Sequence, residues 1–132
     1  MRFPSDTDFE VTVDGVGLFR FARRTMAEEI KIQAEYAKYL NGADATPWLA
    51  SVAGWLATLR VLIVRAPAGW GPENLEDLDP LDEQVYAKLS QIHGGLRDAE
   101  REFRRKPDAQ RQGAGAANGG DGGVGVPASV PA

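Results

Sequence analysis

Residues 47–65, PWLASVAGWLATLRVLIVR, carry charge only at Arg60 and Arg65, and their reading decides the fold. Thr46-Pro47 supplies a capping hydroxyl followed by proline at the first helical position. Ala66-Pro67 closes the run, because the residue before a proline is steered away from the α region. The spacing predicts a helix over 47–65 that is apolar nearly all round and therefore central, with Trp48, Val52, Trp55, Leu59 and Leu62 as its deepest face. A membrane span is the competing reading. The stretch Trp48–Val64 sits at the lower edge of the roughly 17–25 apolar residues a span requires, and Arg60 inside it would cost about 2.5–3.5 kcal/mol. A buried core helix is the cheaper solution, so no membrane is expected as a partner.

Upstream, Phe9–Val13 (FEVTV) alternates apolar and polar, Leu18–Ala22 (LFRFA) is aromatic-rich, and Asp14-Gly15 lies between them as a turn signal. A β-hairpin over about 9–22 follows. With a three-residue connection, Asp14 to Val16, Val11 opposes Phe19, Phe9 opposes Phe21 and Glu10 opposes Arg20. Aromatics then share one face and a charge pair the other. A two-residue turn would instead set Phe9 against Arg20. Since two strands alone are marginal in water, the aromatic face has to pack on helices of the chain or on another subunit. Thr25 and Glu28 have capping-box spacing, and Asn41-Gly42 is a stop, which together predict a helix over 26–40. Its periodicity groups Met26, Ile30, Ala34, Ala37 and Leu40, while Ile32, Tyr36 and Tyr39 widen the apolar arc. Lys31, Glu35 and Lys38 hold the wet side. So wide an arc calls for contacts on two sides, either two helix neighbours within the chain or one neighbour plus a partner protein, and in the second case Ile32, Tyr36 and Tyr39 are the candidates for that contact.

Downstream, the turn-rich and acidic segment AGWGPENLEDLDP leads to Asp79-Pro80, a third cap-plus-proline start, and predicts a helix over 80–105. Its apolar positions Val85, Leu89, Ile92, Leu96, Ala99 and Phe103 alternate spacings of four and three. That pattern fits a short coiled coil or one amphipathic helix packed on its neighbour. Three Trp in so short a domain exceed what a small core readily buries, which makes Trp48, Trp55, Trp70 and the hairpin aromatics a candidate protein-binding surface; Trp70, in the loop before this helix, is either an exposed anchor or a lid closing over the helix core. Leu89, Leu96 and Phe103 on this face, with Trp70, complete the candidate partner-binding set. Gly94-Gly95 in mid-helix costs about 1 kcal/mol each against Ala and points to a kink or a close contact. From Pro107 on, the text holds no aromatic residue and no aliphatic larger than Val, and it takes nearly half of the 15 glycines. Such a segment cannot offset its ordering entropy by burial, so 1–106 is expected to be one folded domain and 107–132 a disordered tail. The expected class is α+β, mainly α: an N-terminal hairpin, three helices and the tail.

Composition removes most chemistry. With no Cys and one His, the 132 residues cannot supply a thiolate nucleophile, a Cys-ligated metal or a multi-histidine site. His93 has no nucleophile elbow or orienting group near it in sequence and reads as a residue on a helix flank. Glu73, Glu76, Asp77, Asp79, Asp82 and Glu83 lack the alternate-position spacing and central glycine of an EF-hand loop, and capping of a helix start by Asp79, Asp82 and Glu83 accounts for several of them more simply. Gly15 and Gly17 do not make a dinucleotide fingerprint. Neither an enzyme nor a cofactor is expected. A net charge of −4 gives no basic field, and the clusters Arg20, Arg23, Arg24 and Arg101, Arg104, Arg105, Lys106 sit at a hairpin end and a helix C-terminus; nucleic acid is not expected as a partner. The acidic opening MRFPSDTDFE lacks the basic and apolar regions of a secretory signal.

Three segments together, FRFARRTMAEEIKIQAEYAKYL (19–40), PWLASVAGWLATLRVLIVRAPAGW (47–70) and LDEQVYAKLSQIHGGLRDAEREFR (81–104), resemble the small tail assembly chaperones of tailed bacteriophages and prophages. The resemblance lies in hydrophobic pattern and includes no catalytic motif. It implies a protein of the host bacterial cytoplasm that binds the long helical tape-measure protein before the tail tube polymerises around it. A homo-oligomer is compatible with it. Such proteins are in some cases made in a short and a frameshift-extended form, which would put the Gly-rich end at the junction. A tail or baseplate subunit retained in the virion is the alternative that the same resemblance leaves open.

Overall fold

The computed structural model describes residues 3–105; the tail expected over 107–132 lies outside the described residues. Contacts divide the chain after Ala99 into two compact units. The first contains β1 (Phe9–Val13), β2 (Gly17–Phe21), α1 (Met26–Leu40), α2 (Pro47–Leu62), β3 (Ile63–Arg65), a 3₁₀ helix (Pro72–Asp77) and most of α3 (Glu83–Arg105). The protein is α+β and mainly α.

The hairpin has the expected register. Phe9 pairs with Phe21, Glu10 with Arg20 and Val11 with Phe19, and the turn closes through Val16 N–H donating to Val13 O at 3.0 Å. Gly15 (φ 77°) and Gly17 (φ 136°) supply the left-handed geometry such a turn demands. Phe19 and Phe21 are fully buried and lie parallel, with ring centroids 5.6 Å apart. On the outer face, Arg20 Nε donates to Asp8 Oδ2 at 2.8 Å, and its Nη1 reaches Glu10 at 3.4 Å.

Helix α1 has the expected bounds. Thr25 Oγ1 accepts from Glu28 N at 3.3 Å, and Asn41, at φ 50°, donates its N–H to Ala37 O. Its inward face differs from the expected one. Ile32 is buried, with Tyr36 and Tyr39 packed on the same core, whereas Met26 (76% exposed), Ile30 (64%), Ala34 and Ala37 face outward. Isoleucine and two tyrosines bury more apolar area than a stripe in which two of the four residues are alanine, so the aromatic side wins the core.

Two boundaries are corrected. Helix α2 stops at Leu62, not at Arg65; Ile63–Arg65 turn into a third strand that pairs antiparallel with β2, giving the sheet order β1-β2-β3. Phe21 pairs with Ile63, and Ala22 N–H donates to Leu62 O at 2.7 Å. These bonds occupy the backbone of β2 on its otherwise unpaired edge, and two β-branched residues, Ile63 and Val64, suit the strand. Helix α3 begins at Glu83, not Pro80. Asp79 accepts from Leu81 N and Asp82 from Gln84 N, both at 2.9 Å, so Pro80 sits in a separate turn and Asp82 opens the helix.

The core of the unit gathers Val13, Phe19, Phe21, Ile32, Ala57, Leu59, Leu62, Ile63, Val64, Leu75, Leu89, Ile92 and Leu96. The expected deep face of α2 is therefore rotated: Ala53, Ala57, Thr58, Leu59 and Leu62 are buried, Val52 and Trp55 only partly, and Trp48 is 50% exposed.

Candidate functional site

Rotation of α2 opens a cleft. Trp48, Val52 and Leu56 project from one side of α2, Leu75 and Leu78 come from the 3₁₀ helix and its exit, and Val85, Tyr86 and Leu89 come from the first turns of α3. With Tyr39 and Glu76 at the edge and Pro80 beyond, they line a cavity of about 410 Å³, within the range of ligand and side-chain pockets. Three local devices hold its walls. Thr46 caps α2 by accepting from Leu49 N at 3.1 Å, which fixes the turn that carries Trp48. The 3₁₀ helix closes on itself through Asn74 N–H to Gly71 O (2.9 Å) and Gly71 N–H to Asn74 Oδ1 (3.2 Å). Tyr86 meets Trp55 edge-on at a centroid distance of 5.0 Å.

The edge is polar and tied to α1. Tyr39 Oη donates to Glu76 Oε2 at 2.9 Å, and Arg60 bridges Glu76 (3.4 Å) and Glu35 (3.5 Å). Burial, reinforced by the bond to Glu76, pushes the Tyr39 hydroxyl up to about 12. The tyrosine therefore stays a neutral donor and acts as a latch between α1 and the 3₁₀ helix. A smaller hollow of about 220 Å³ lies between α1 and α2 beside Gly54, where Arg24 pairs with Glu29 at 2.8 Å.

The residues expected to bind a partner separate into groups. Ile32, Leu89 and Leu96 are core residues, at 4%, 4% and 0% exposure, so the open face expected of them is corrected. The alternating face of α3 packs on the core of its own chain through Leu89, Ile92 and Leu96. Tyr36 and Trp70 are half-buried against that core; Trp70, in the turn closed by its backbone N–H donating to Pro67 O (3.0 Å), covers the core and is no exposed anchor. Phe103 is half-buried in the last turns of α3. Only Tyr39 and Leu89 of the set reach the cleft. Trp48, one of three tryptophans in a short domain, does stand half in water, whereas the sequence does not single out Val52, Leu56 and Tyr86 as a surface, because apolar periodicity assigns such residues to a core. The separate turn at Pro80, which delays α3, gives no apolar signal at all. His93 is half-buried, 6.5 Å from Trp55, rather than on the surface.

Among the described residues, no cluster of His, Asp and Glu could hold a metal ion, and no helix is long and apolar enough to cross a membrane. The arrangement offers shape and apolar area, with no nucleophile held beside a base. Compared with known proteins, the chain matches no family model, no curated protein and no solved structure.

Proposed function

We propose that this protein is a tail assembly chaperone of the bacteriophage and prophage type, working in the host bacterial cytoplasm, where it holds apolar helical segments of the tape-measure protein until the tail tube forms around them. The observation that carries the reading is the apolar cleft with two aromatic side chains left half in water at its mouth, Trp48 at 50% and Tyr86 at 43% exposure. Leaving them at a concave apolar site is what capture of a partner's side chains requires. A helix laid across the mouth would place residues of one face in the cleft, the helix-in-groove mode, while the net charge of −4 keeps the loaded complex soluble. The hydrophobic-pattern resemblance of residues 19–104 to such chaperones supports the same reading.

The test is co-expression with a fragment of the tape-measure protein. A chaperone co-purifies with the fragment and raises its soluble yield, and mass spectrometry finds it absent from finished particles. A protein abundant in the particle would instead be a structural subunit.

A further inference from the structure

We infer that the cleft also takes a second copy of this chain, presented by the outward stripe of α1, so that the protein self-associates head to tail. Two unpartnered apolar surfaces lie on the same unit, and their surroundings carry opposite charge. The stripe consists of Met26, Ile30, Ala34 and Ala37, at helical spacing, and Lys31 and Lys38 border it on one side. Lys38 contacts Glu35 at 3.1 Å but is 70% exposed, and Lys31 has no ion-pair partner among the described residues. The segment from Glu73 to Glu83, which gives the cleft Leu75, Glu76, Leu78 and Pro80, holds six acidic residues and no Lys or Arg; all six are exposed, and Glu76, the one that lines the cleft, is shared with Arg60 and Tyr39. Asp79 and Asp82 spend one oxygen each on a backbone N–H and keep their charge. Glu73, Asp77 and Glu83 have no ion-pair partner among the described residues. Half-exposed Trp48 and Tyr86 add π faces that attract ammonium groups.

A lysine-bordered helix stripe and an acid-rimmed, aromatic-lipped cleft are complementary in both apolarity and sign. They lie on opposite sides of α1, since Tyr39 lines the cleft while Met26 and Ile30 point away from the core that Tyr39 joins. One copy cannot fill its own cleft with its own stripe. The contact is therefore heterologous, stripe to cleft, and each added copy leaves one of each surface open for the next. The stripe is short and half of it is alanine, so the interface falls well under the area of a stable dimer, and association is weak and concentration-dependent. It covers both apolar surfaces when no other partner is present. The inference does not depend on the identity of that other partner.

Sedimentation velocity of the full chain between about 10 and 500 µM, a range suited to an interface below about 1,000 Å², gives the first readout. Dimers and longer species should appear as concentration rises and recede at high salt. Two surface variants make the test decisive. Ile30→Glu spoils the stripe and leaves the cleft, while Trp48→Glu spoils the cleft and leaves the stripe. Each alone should stay monomeric with an unchanged circular dichroism spectrum, and an equimolar mixture should form a one-to-one dimer that grows no further. A wild-type chain that remains monomeric to 500 µM overturns the inference. So does a mixture that stays monomeric while the wild type associates, since that result places the contact elsewhere.

Discussion

Gly95 of α3 approaches Val11 of β1 so closely that a Cβ on Gly95 would lie 2.9 Å from Val11 Cγ1, whereas one on its neighbour Gly94 would meet nothing within 4 Å. The two glycines thus have different standing. Gly95 lets the helix settle onto the sheet, and Gly94 only weakens the helix. Gly94→Ala should stabilise the protein by up to about 1 kcal/mol, the helix-propensity difference. Gly95→Ala should destabilise it by about 1–2 kcal/mol, because Val11 is a short, stiff side chain that gives way only with the strand. Thermal unfolding of the pair should move Tm in opposite directions.

The contact between Tyr39 and Glu76 predicts a pH dependence at the alkaline end. The folded-state value of the phenol, about 12, lies above its ordinary 10. The folded chain therefore holds this proton more tightly, and its stabilising effect is complete below pH 10 and lost as pH rises toward 12. Tyr39→Phe should flatten that part of a denaturant-midpoint profile relative to the wild type. At the acid end, the Arg24 guanidinium, helped by Gln33, holds the Glu29 carboxyl below its usual range. That contribution is present above the ordinary carboxylate range and disappears as pH falls, and Glu29→Gln should remove it.

Strand β3 is short, yet it ties the end of α2 to the hairpin, and Ile63 is 1% exposed. Ile63→Ala should cost about 2–4 kcal/mol, in line with deletions of buried aliphatic side chains. Ile63→Val should cost under about 1.5 kcal/mol, since it keeps the branched shape a strand favours. Urea unfolding midpoints would show the difference.

Asp8 keeps only 2% of its side chain exposed and is matched by Arg20 Nε at 2.8 Å. Arg20→Ala should destabilise the hairpin, because a buried carboxylate loses a partner, while the 29% exposure of Arg20 lets water make up part of the loss; a lowered urea midpoint would show it. Asp8→Asn combined with Arg20→Ala should cost less than the sum of the two single changes.

The sequence made the hairpin legible down to its register, because a Gly-bearing three-residue turn and the match of Phe9 to Phe21 and Val11 to Phe19 leave one pairing that keeps the aromatics together. The bounds of α1 were legible from Thr25 and Asn41, whose caps are local. Its buried face was not, because apolar residues occupy most of the circumference and only packing chooses between Ile30 and Ile32. The end of α2 was hidden for a similar reason. Leu62, Ile63 and Val64 continue an apolar run without a break, and it is the free edge of β2, distant in sequence, that turns them into strand. The cleft draws on residues from Tyr39 to Leu89 in four elements, so no single stretch of sequence displays it.

On the proposed function, this chain holds a helical partner through the cleft at Trp48 and Tyr86. The most direct measurement is the soluble yield of a tape-measure fragment co-expressed with the wild-type chain and, in parallel, with Trp48→Glu. A fragment that is soluble and co-purifies with the wild type, and that returns to the insoluble fraction with a folded Trp48→Glu chain, is the predicted result. Equal solubility and equal co-purification with both chains, or no complex with either, would contradict it.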